Sequence, residues 1–226
     1  MGMSVVIFGA TGMVGAGTLL ECLDDPRIAS VLAVVRTPTG RVHAKLREVV
    51  HPDFFDFSAL ADDFAVCHAC FYCLGVSSAG MSEAHYTSVT RNIALAAGRA
   101  LAAANPSAVF CFVSGAGADS KGRGRSMWAR VKGETENALL ALPFRAVYVF
   151  RPAFIQPVRG VRSRTDAYRA FYRVMTPVAP VLRLLLPWYW TSTARLGRAM
   201  IAAAIEGAPR RILGSRDINR LARRAR

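Results

Sequence analysis

Short continuous apolar runs and longer stretches of helical spacing alternate along this chain from its first residues. Residues 4–8 (Ser-Val-Val-Ile-Phe) read as a strand, residues 9–15 as a glycine-rich turn, and residues 13–23 as an amphipathic helix closed by Asp24-Asp25-Pro26. A second unbroken run at 31–35 fits a parallel strand covered on both faces, where no alternation with polar residues is needed. A basic segment with proline and glycine follows through Arg47, then a weaker strand at 48–51, the pair Asp56-Phe57 and a short helix near 58–63. A fourth strand is predicted at 69–74 with Gly75 after it, and the alanine-rich residues 82–104 supply a crossover helix. The fifth strand, 108–113, ends at Ser114-Gly115. A polar loop over 116–125, a helix over 126–142 and a sixth strand over 145–150 lead to Arg151-Pro152. Repetition of strand, crossover and helix predicts an α/β fold: a doubly wound parallel sheet, Rossmann-like, with helices on both faces.

Beyond Pro152 the regularity weakens. Residues 153–192 carry Pro157, Pro177, Pro180 and Pro187, and are expected to form a small irregular lobe over the carboxyl ends of the strands, where open α/β sheets bind ligands. Residues 193–206 are predicted to form a closing helix, and 210–226 a basic tail with little to bury. A length of 226 residues suits one domain around one sheet, spanning 1–226. Hydrophobic residues at 53% and charged residues at 19% exclude disorder for the bulk of the chain. With 29 Lys+Arg against 15 Asp+Glu, the net charge of +14 attracts phosphates, anionic lipids or anionic cofactors without choosing among them. The first residues show no basic segment of a secretory signal, and no uncharged apolar stretch reaches the length of about 18 residues that a spanning helix needs, so a cytoplasmic location is expected. The nearest approach, residues 171–190, is broken by Arg173, Arg183 and prolines and reads as a lid or interfacial patch.

The turn Gly9-Ala10-Thr11-Gly12-Met13-Val14-Gly15 spaces its glycines three apart between a strand and a helix. Gly9 permits the bend, Gly12 lets the backbone approach a pyrophosphate, and Gly15 allows the helix to pack on the sheet. The pyrophosphate would rest on the helix amino end, where unpaired amides and the helix dipole favour an anion. After the second strand, where many such folds place a carboxylate for the ribose hydroxyls, this chain has Arg36, with Arg41 and Lys45 nearby. A guanidinium there favours a 2'-phosphate by about 1.5–3 kcal/mol, partly lost at an exposed site, so NADP is expected over NAD.

These residues resemble the atypical and extended short-chain dehydrogenase/reductases and their NAD-dependent epimerase/dehydratase relatives, most of all the small NADPH-binding reductase-like proteins of the TAT-interacting-protein type. The resemblance runs through Gly9, Gly12 and Gly15, Asp56-Phe57, Cys73-Leu74-Gly75, Ser114, Lys132-Gly133-Glu134 and Arg151-Pro152, over residues 4–155. It implies that the turn from Gly9 to Gly15, with Thr11, Met13 and Val14, holds the dinucleotide. It further implies that Asp56, beside Phe57, bonds the adenine, that the backbone at Leu74-Gly75 lines the nucleotide, and that residues after Arg151-Pro152 flank the nicotinamide.

Catalysis in such families uses a tyrosine four residues before a lysine, on one face of a helix. Here Lys132 is kept and Trp128 stands in the tyrosine position. An indole stacks on a ring or shapes a pocket but does not ionise usefully as acid or base. Lys132, Ser114 and Trp128 are therefore the candidate catalytic positions, with Ser126, Tyr86 and His85 as alternative sources of a proton.

Cys67, Cys70 and Cys73, with His68 and Cys111, invite a metal reading. On one strand Cys67 and Cys73 face one side and Cys70 the other, so buried, inert thiols and no metal are expected. His43 and His51 are scattered. The arginines from Arg210 onward have neither a helix-turn-helix nor interleaved aromatics beside them, so no specific nucleic acid is expected; contact with an anionic membrane, or between copies of the chain through the apolar patch at 178–190, stays open. The expected function is an NADP(H)-binding reductase- or epimerase-like protein that passes hydride to or from a small, partly apolar carbonyl or alcohol. The alternative is a non-catalytic sensor or scaffold in which dinucleotide occupancy alters partner binding.

Overall fold

In a computed structural model, residues 2–161 and 189–224 are described. The strands are β1 (Met3–Phe8), β2 (Ile28–Val35), β3 (Leu46–Val50), β4 (Ala69–Tyr72), β5 (Val109–Val113), β6 (Ala146–Arg151), β7 (Phe154–Gln156), β8 (Trp190–Ser192) and β9 (Ile212–Gly214). The helices are α1 (Met13–Asp24), α2 (Ala61–Ala65), α3 (Glu83–Thr87), α4 (Ile93–Ala104), α5 (Met127–Leu140), α6 (Thr193–Glu206) and α7 (Ser215–Arg224). Seven strands form one parallel sheet in the order β3-β2-β1-β4-β5-β6-β9, and β7 pairs with β8 apart from it. This is the doubly wound, Rossmann-like α/β fold expected from the alternating pattern.

The continuous apolar runs become central strands because both faces are covered. Val5, Ile7, Val31 and Ala33 point into a core roofed by α1, α6 and α7. Val6, Phe8, Leu32 and Val34 point into a second core that contains Phe54, Phe57, Phe64, Tyr72, Phe110 and Phe112. Phe8 is central to it, meeting Phe57 edge-on with ring centroids 5.4 Å apart and Phe54 at 6.4 Å. On the first face, a Cβ on Gly17 of α1 would lie 2.4 Å from Thr193 Cβ of α6, and one on Gly197 of α6 would lie 3.0 Å from Thr18 Cα. The two glycines let α1 and α6 cross almost backbone to backbone.

Several expectations are corrected. The third strand starts at Leu46, ahead of 48–51. The single helix expected over 82–104 is α3, one π-helical turn at Ser88–Asn92, and α4. The basic tail is the largest departure. Ile212–Gly214 adds β9 to the sheet beside β6, and α7 buries Ile218, Leu221 and Ala222 against α6. Arginines dominate that segment's composition, while its apolar residues at i, i+3 and i+4 form the narrow stripe that docks it. Cys67 precedes β4 instead of lying on it, so it shares one core with Cys70, whereas Cys111 lies in the other core with Cys73 against it. Most of the expected lobe at 153–192, with Pro177, Pro180, Pro187 and most of the apolar patch, lies outside the described residues. Among the described residues no helix is long and apolar enough to cross a membrane.

Candidate functional site: a glycine turn at the carboxyl edge of the sheet

Strand order reverses between β1 and β4, and the glycine turn leaves β1 at that crevice. Gly9 has φ +78°, and a Cβ there would lie 2.7 Å from Leu74 N, so the turn presses directly on the backbone that follows β4. The Gly12 amide donates to the Gly9 carbonyl at 2.9 Å. A Cβ on Gly15 would sit 2.0 Å from that same carbonyl oxygen, which ties the first turn of α1 to the bend. Gly12 is the amino cap of α1 in extended conformation, with no side-chain cap and no acidic residue in the first turn. Thr11, Gly12, Met13 and Val14 are half-buried, and a Cβ on Gly12 would be 3.3 Å from the Gly9 carbonyl, so the absent methyl leaves a cradle over the helix amino end. Backbone amides at a helix end with no acidic residue in its first turn are the donor set a diphosphate requires.

Phe8 pairs with Val34, so Arg36 emerges just past β2 beside the turn, exposed. Arg41 is also exposed, whereas Lys45 Nζ donates to the Asp25 carbonyl at 2.8 Å, at the end of α1. Asp56 is exposed; its carboxylate accepts the Ser58 amide at 2.8 Å, and that bond holds its pKa below the usual carboxylate value. The Phe57 ring is buried in the aromatic core, so any part it takes in ligand binding falls to its backbone.

The remaining candidates meet around α5. Lys132 and Trp128 lie one turn apart on its crevice face. The indole of Trp128 lies over two glycines of the loop after β5, within 3.9 Å of where a Gly115 Cβ would be and 3.4 Å of where a Gly117 Cβ would be. Lys132 Nζ sits 5.5 Å from the centroid of the Phe112 ring and 3.9 Å from the place of a Gly75 Cβ, so it reaches the crevice beside Leu74-Gly75. Among the described residues it has neither hydrogen bond nor ion pair. Burial pushes its pKa down to about 8, against the upward pull of Glu136.

Ser114 is placed differently from a free catalytic hydroxyl. Its Oγ donates to Glu136, which is completely buried and also receives Arg151 Nε at 3.0 and 3.1 Å. Ser120 joins the same carboxylate at 3.5 Å. Arg151 is thus engaged by Glu136, and the Pro152 carbonyl accepts the Ala116 amide at 2.9 Å. Gly133 completes the arrangement: a Cβ there would lie 1.9 Å from the Asp119 carbonyl, so the loop after β5 lies hard against α5. Glu136, Ser120 and Gly117 were not singled out from the sequence; the signal available was Glu136 one turn beyond Lys132, on the same helix face. Tyr86 is buried, and His85 is exposed on α3. All five cysteines are free; burial pushes Cys67 up to about 11 and Cys73 up to about 12.

No family model matches the chain. Among curated proteins it is 28% identical over 212 residues to Protein fmp52, mitochondrial, of Aspergillus fumigatus, covering 90% of this chain and 87% of the relative. The protein of the same name from Emericella nidulans is 27% identical over 176 residues, covering 75% and 74%. These relatives are named as mitochondrial proteins, which overturns the cytoplasmic expectation. Among solved structures, Bordetella bronchiseptica WbmH in complex with NAD+ superimposes with a TM-score of 0.67 at 16% identity, over 94% of this chain and 74% of that one. A Burkholderia thailandensis oxidoreductase of the short-chain dehydrogenase/reductase family gives 0.67 at 16% identity, over 95% and 91%. A Burkholderia cenocepacia short-chain dehydrogenase in complex with NADP gives 0.65 at 18%, over 94% and 87%. The chain has the fold of the short-chain dehydrogenase/reductases, and the resemblance drawn from its motifs is borne out in that architecture.

Proposed function

We propose that the chain binds a nicotinamide adenine dinucleotide, NADP(H) by preference, and uses it to interconvert a small carbonyl and its alcohol. The observation that carries this reading is the cradle at Gly9, Gly12 and Gly15. It pairs an uncapped helix amino end with a turn whose backbone spacing leaves no room for side chains at Gly9 and Gly15. The NAD- and NADP-bound structures that share the fold support a nicotinamide dinucleotide as the ligand.

On this reading the amides of Thr11, Met13 and Val14 receive the diphosphate over the bare Cα of Gly12, and Arg36 pairs with the 2'-phosphate. Leu74 and Gly75 line the nucleotide, Lys132 reaches the ribose, and the segment after Pro152 flanks the nicotinamide. The cofactor supplies a hydride. The chain's own residues bind and orient it, and Trp128 walls the space over Gly115 and Gly117 in which a partly apolar substrate packs.

Titration of the folded protein with NADPH and NADH tests the reading. NADPH is expected to bind more tightly, and Arg36→Ala to weaken it by about tenfold, with NADH changed less than about twofold, as the loss of one partly solvated charge-assisted bond requires. Equal affinities in the native chain overturn the NADP preference, and no uptake of either dinucleotide overturns the reading. Trp128 favours a second reading, a dinucleotide-dependent sensor without turnover. NADPH binding without oxidation of the cofactor by any member of a carbonyl panel supports that alternative.

A further inference from the structure

We infer that Lys132 is itself the proton donor of this crevice, in the role that a tyrosine at position 128 would otherwise fill. The inference rests on the reductase reading above and adds the source of the proton.

The geometry leaves Lys132 as the one suitable group among the described candidates. Its Nζ reaches the space beside Gly75, over the Phe112 ring, with no acceptor engaging it among the described residues. One turn before it, Trp128 offers an N–H that does not ionise usefully. The Ser114 proton is engaged by Glu136, and the Glu136 carboxylate is enclosed by Arg151, Ser114 and Ser120. The elements packed against α5 bring other charged and titratable groups. From α3, Glu83 pairs with Arg130 at 2.7 Å, and His85 is exposed. The π-helical turn carries Arg91 and α4 carries Arg99. In the loop after β5, Asp119 accepts the amides of Lys121 and Gly124. On β4 the Tyr72 hydroxyl is buried without a partner among the described residues, and burial raises its pKa, as it does for Cys73 after that strand and Cys111 on β5.

Lys132 differs from all of these in combining access with a working range. Desolvation brings its ammonium down to about 8, so both protonation states are populated near neutral pH. During reduction, the electron pair that forms the new C–H bond arrives as the hydride of the reduced nicotinamide, and the carbonyl π pair moves to oxygen. An N–H bond of the Lys132 ammonium breaks as the alcohol O–H bond forms, leaving a neutral amine that water reprotonates. Substrate is reduced and dinucleotide oxidised, with no further reactant.

Trace acylation of the folded native chain across a pH series, read at Lys132 by mass spectrometry, gives the amine's titration without any turnover. An inflection near 8 is expected, and one at the ordinary lysine value of 10.5 overturns the inference. With NADPH and a panel of small aldehydes and ketones, the reduction rate is expected to fall as pH rises through about 8. Lys132→Arg preserves the cation but does not release a proton. It is expected to keep NADPH affinity within about threefold while losing turnover by about a hundredfold or more. Retained turnover in that variant overturns the proton-donor role alone, whereas NADPH binding by the native chain without reduction of any carbonyl overturns that role together with carbonyl turnover and leaves the sensor reading. Failure of the native chain to bind NADPH overturns the dinucleotide reading and the inference together.

Discussion

Arg151, at the end of β6, sets its Nε 3.0 and 3.1 Å from the two carboxylate oxygens of Glu136 on α5, and the Glu136 side chain is completely shut off from solvent. A carboxylate taken out of water is tolerated only with compensating donors, and here the fork of one arginine and two serine hydroxyls supplies them. The pair joins the crevice edges of β5, β6 and α5, so it holds the helix that presents Trp128 and Lys132.

Removing the cation and removing the anion therefore have unequal costs. Arg151→Met leaves a buried unpaired carboxylate and is expected to destabilise the fold by about 3–5 kcal/mol. Glu136→Gln keeps the shape and an acceptor for Ser114, and is expected to cost about 1–3 kcal/mol. The double variant Arg151→Met/Glu136→Met is expected to be more stable than Arg151→Met alone, because no buried charge remains. Urea unfolding of the three variants beside the native chain checks the order; a double variant no more stable than Arg151→Met contradicts it.

The cradle makes a second contrast, between two glycines of one turn. Gly15→Ala drives a methyl to 2.0 Å from a backbone oxygen, which cannot move without displacing the bend, and should cost about 3 kcal/mol or more. Gly12→Ala meets its nearest atom at 3.3 Å with an ordinary φ of −84°, so the fold survives with a loss of about 1 kcal/mol at the helix cap. On the proposed reading the new methyl projects into the volume that the diphosphate would occupy, and NADPH affinity should fall by about tenfold or more. Thermal melts and NADPH titration of both variants separate the two effects. Unchanged affinity in a folded Gly12→Ala chain removes the diphosphate from this place.

Sheet and cradle were legible in the sequence because each depends on residues close together in the chain. The unbroken run at 31–35 implies burial on two faces, and three glycines spaced by two residues carry their own backbone requirement. What could not be read depends on partners far away. Glu136 four residues after Lys132 resembles a solvated helix face, and its burial follows only from Arg151 arriving on the next strand. Ser114 resembles a free hydroxyl until that carboxylate is found beside it. In the tail, Ile218, Leu221 and Ala222 are outnumbered by arginines, and their docking surface on α6 becomes visible only when the chain has folded back.

That docking gives the tail a stability role that its charge conceals. Leu221 is 2% exposed in the core formed with α6, and Leu221→Ala is expected to cost about 2–4 kcal/mol, as for other buried leucines. Arg223→Ala and Arg224→Ala, on the exposed side, should change stability by less than about 0.5 kcal/mol. Denaturant midpoints for the three substitutions test the difference; a neutral Leu221→Ala is incompatible with α7 being part of the folded unit.

Lys132 leaves a signature in the pH dependence of stability that needs neither cofactor nor substrate. Burial lowers its folded-state pKa to about 8, whereas an unfolded chain restores the ordinary 10.5. Between those values the unfolded state binds more protons, so this group makes stability rise with pH from about 8, and the gain is complete only near 10.5. Thiols act in the opposite sense at higher pH. Cys67 and Cys73, raised to about 11 and about 12 from 9.0, hold protons in the folded state that the unfolded chain releases, so their contribution declines above 9.0. The buried Cys22, Cys70 and Cys111 act in the same direction, and thiols of ordinary value 9.0 already ionise in part below it, so the lysine is read as the difference between the native chain and a variant that lacks it. Lys132→Met, which keeps an apolar stem of similar reach and every thiol, is expected to be more stable than the native chain below about 8, since it removes a desolvated charge, and to lose that lead as pH rises from about 8 toward 10.5. Urea midpoints of both proteins through that range provide the comparison. Parallel profiles would mean that the amine titrates no differently in the folded and unfolded chains.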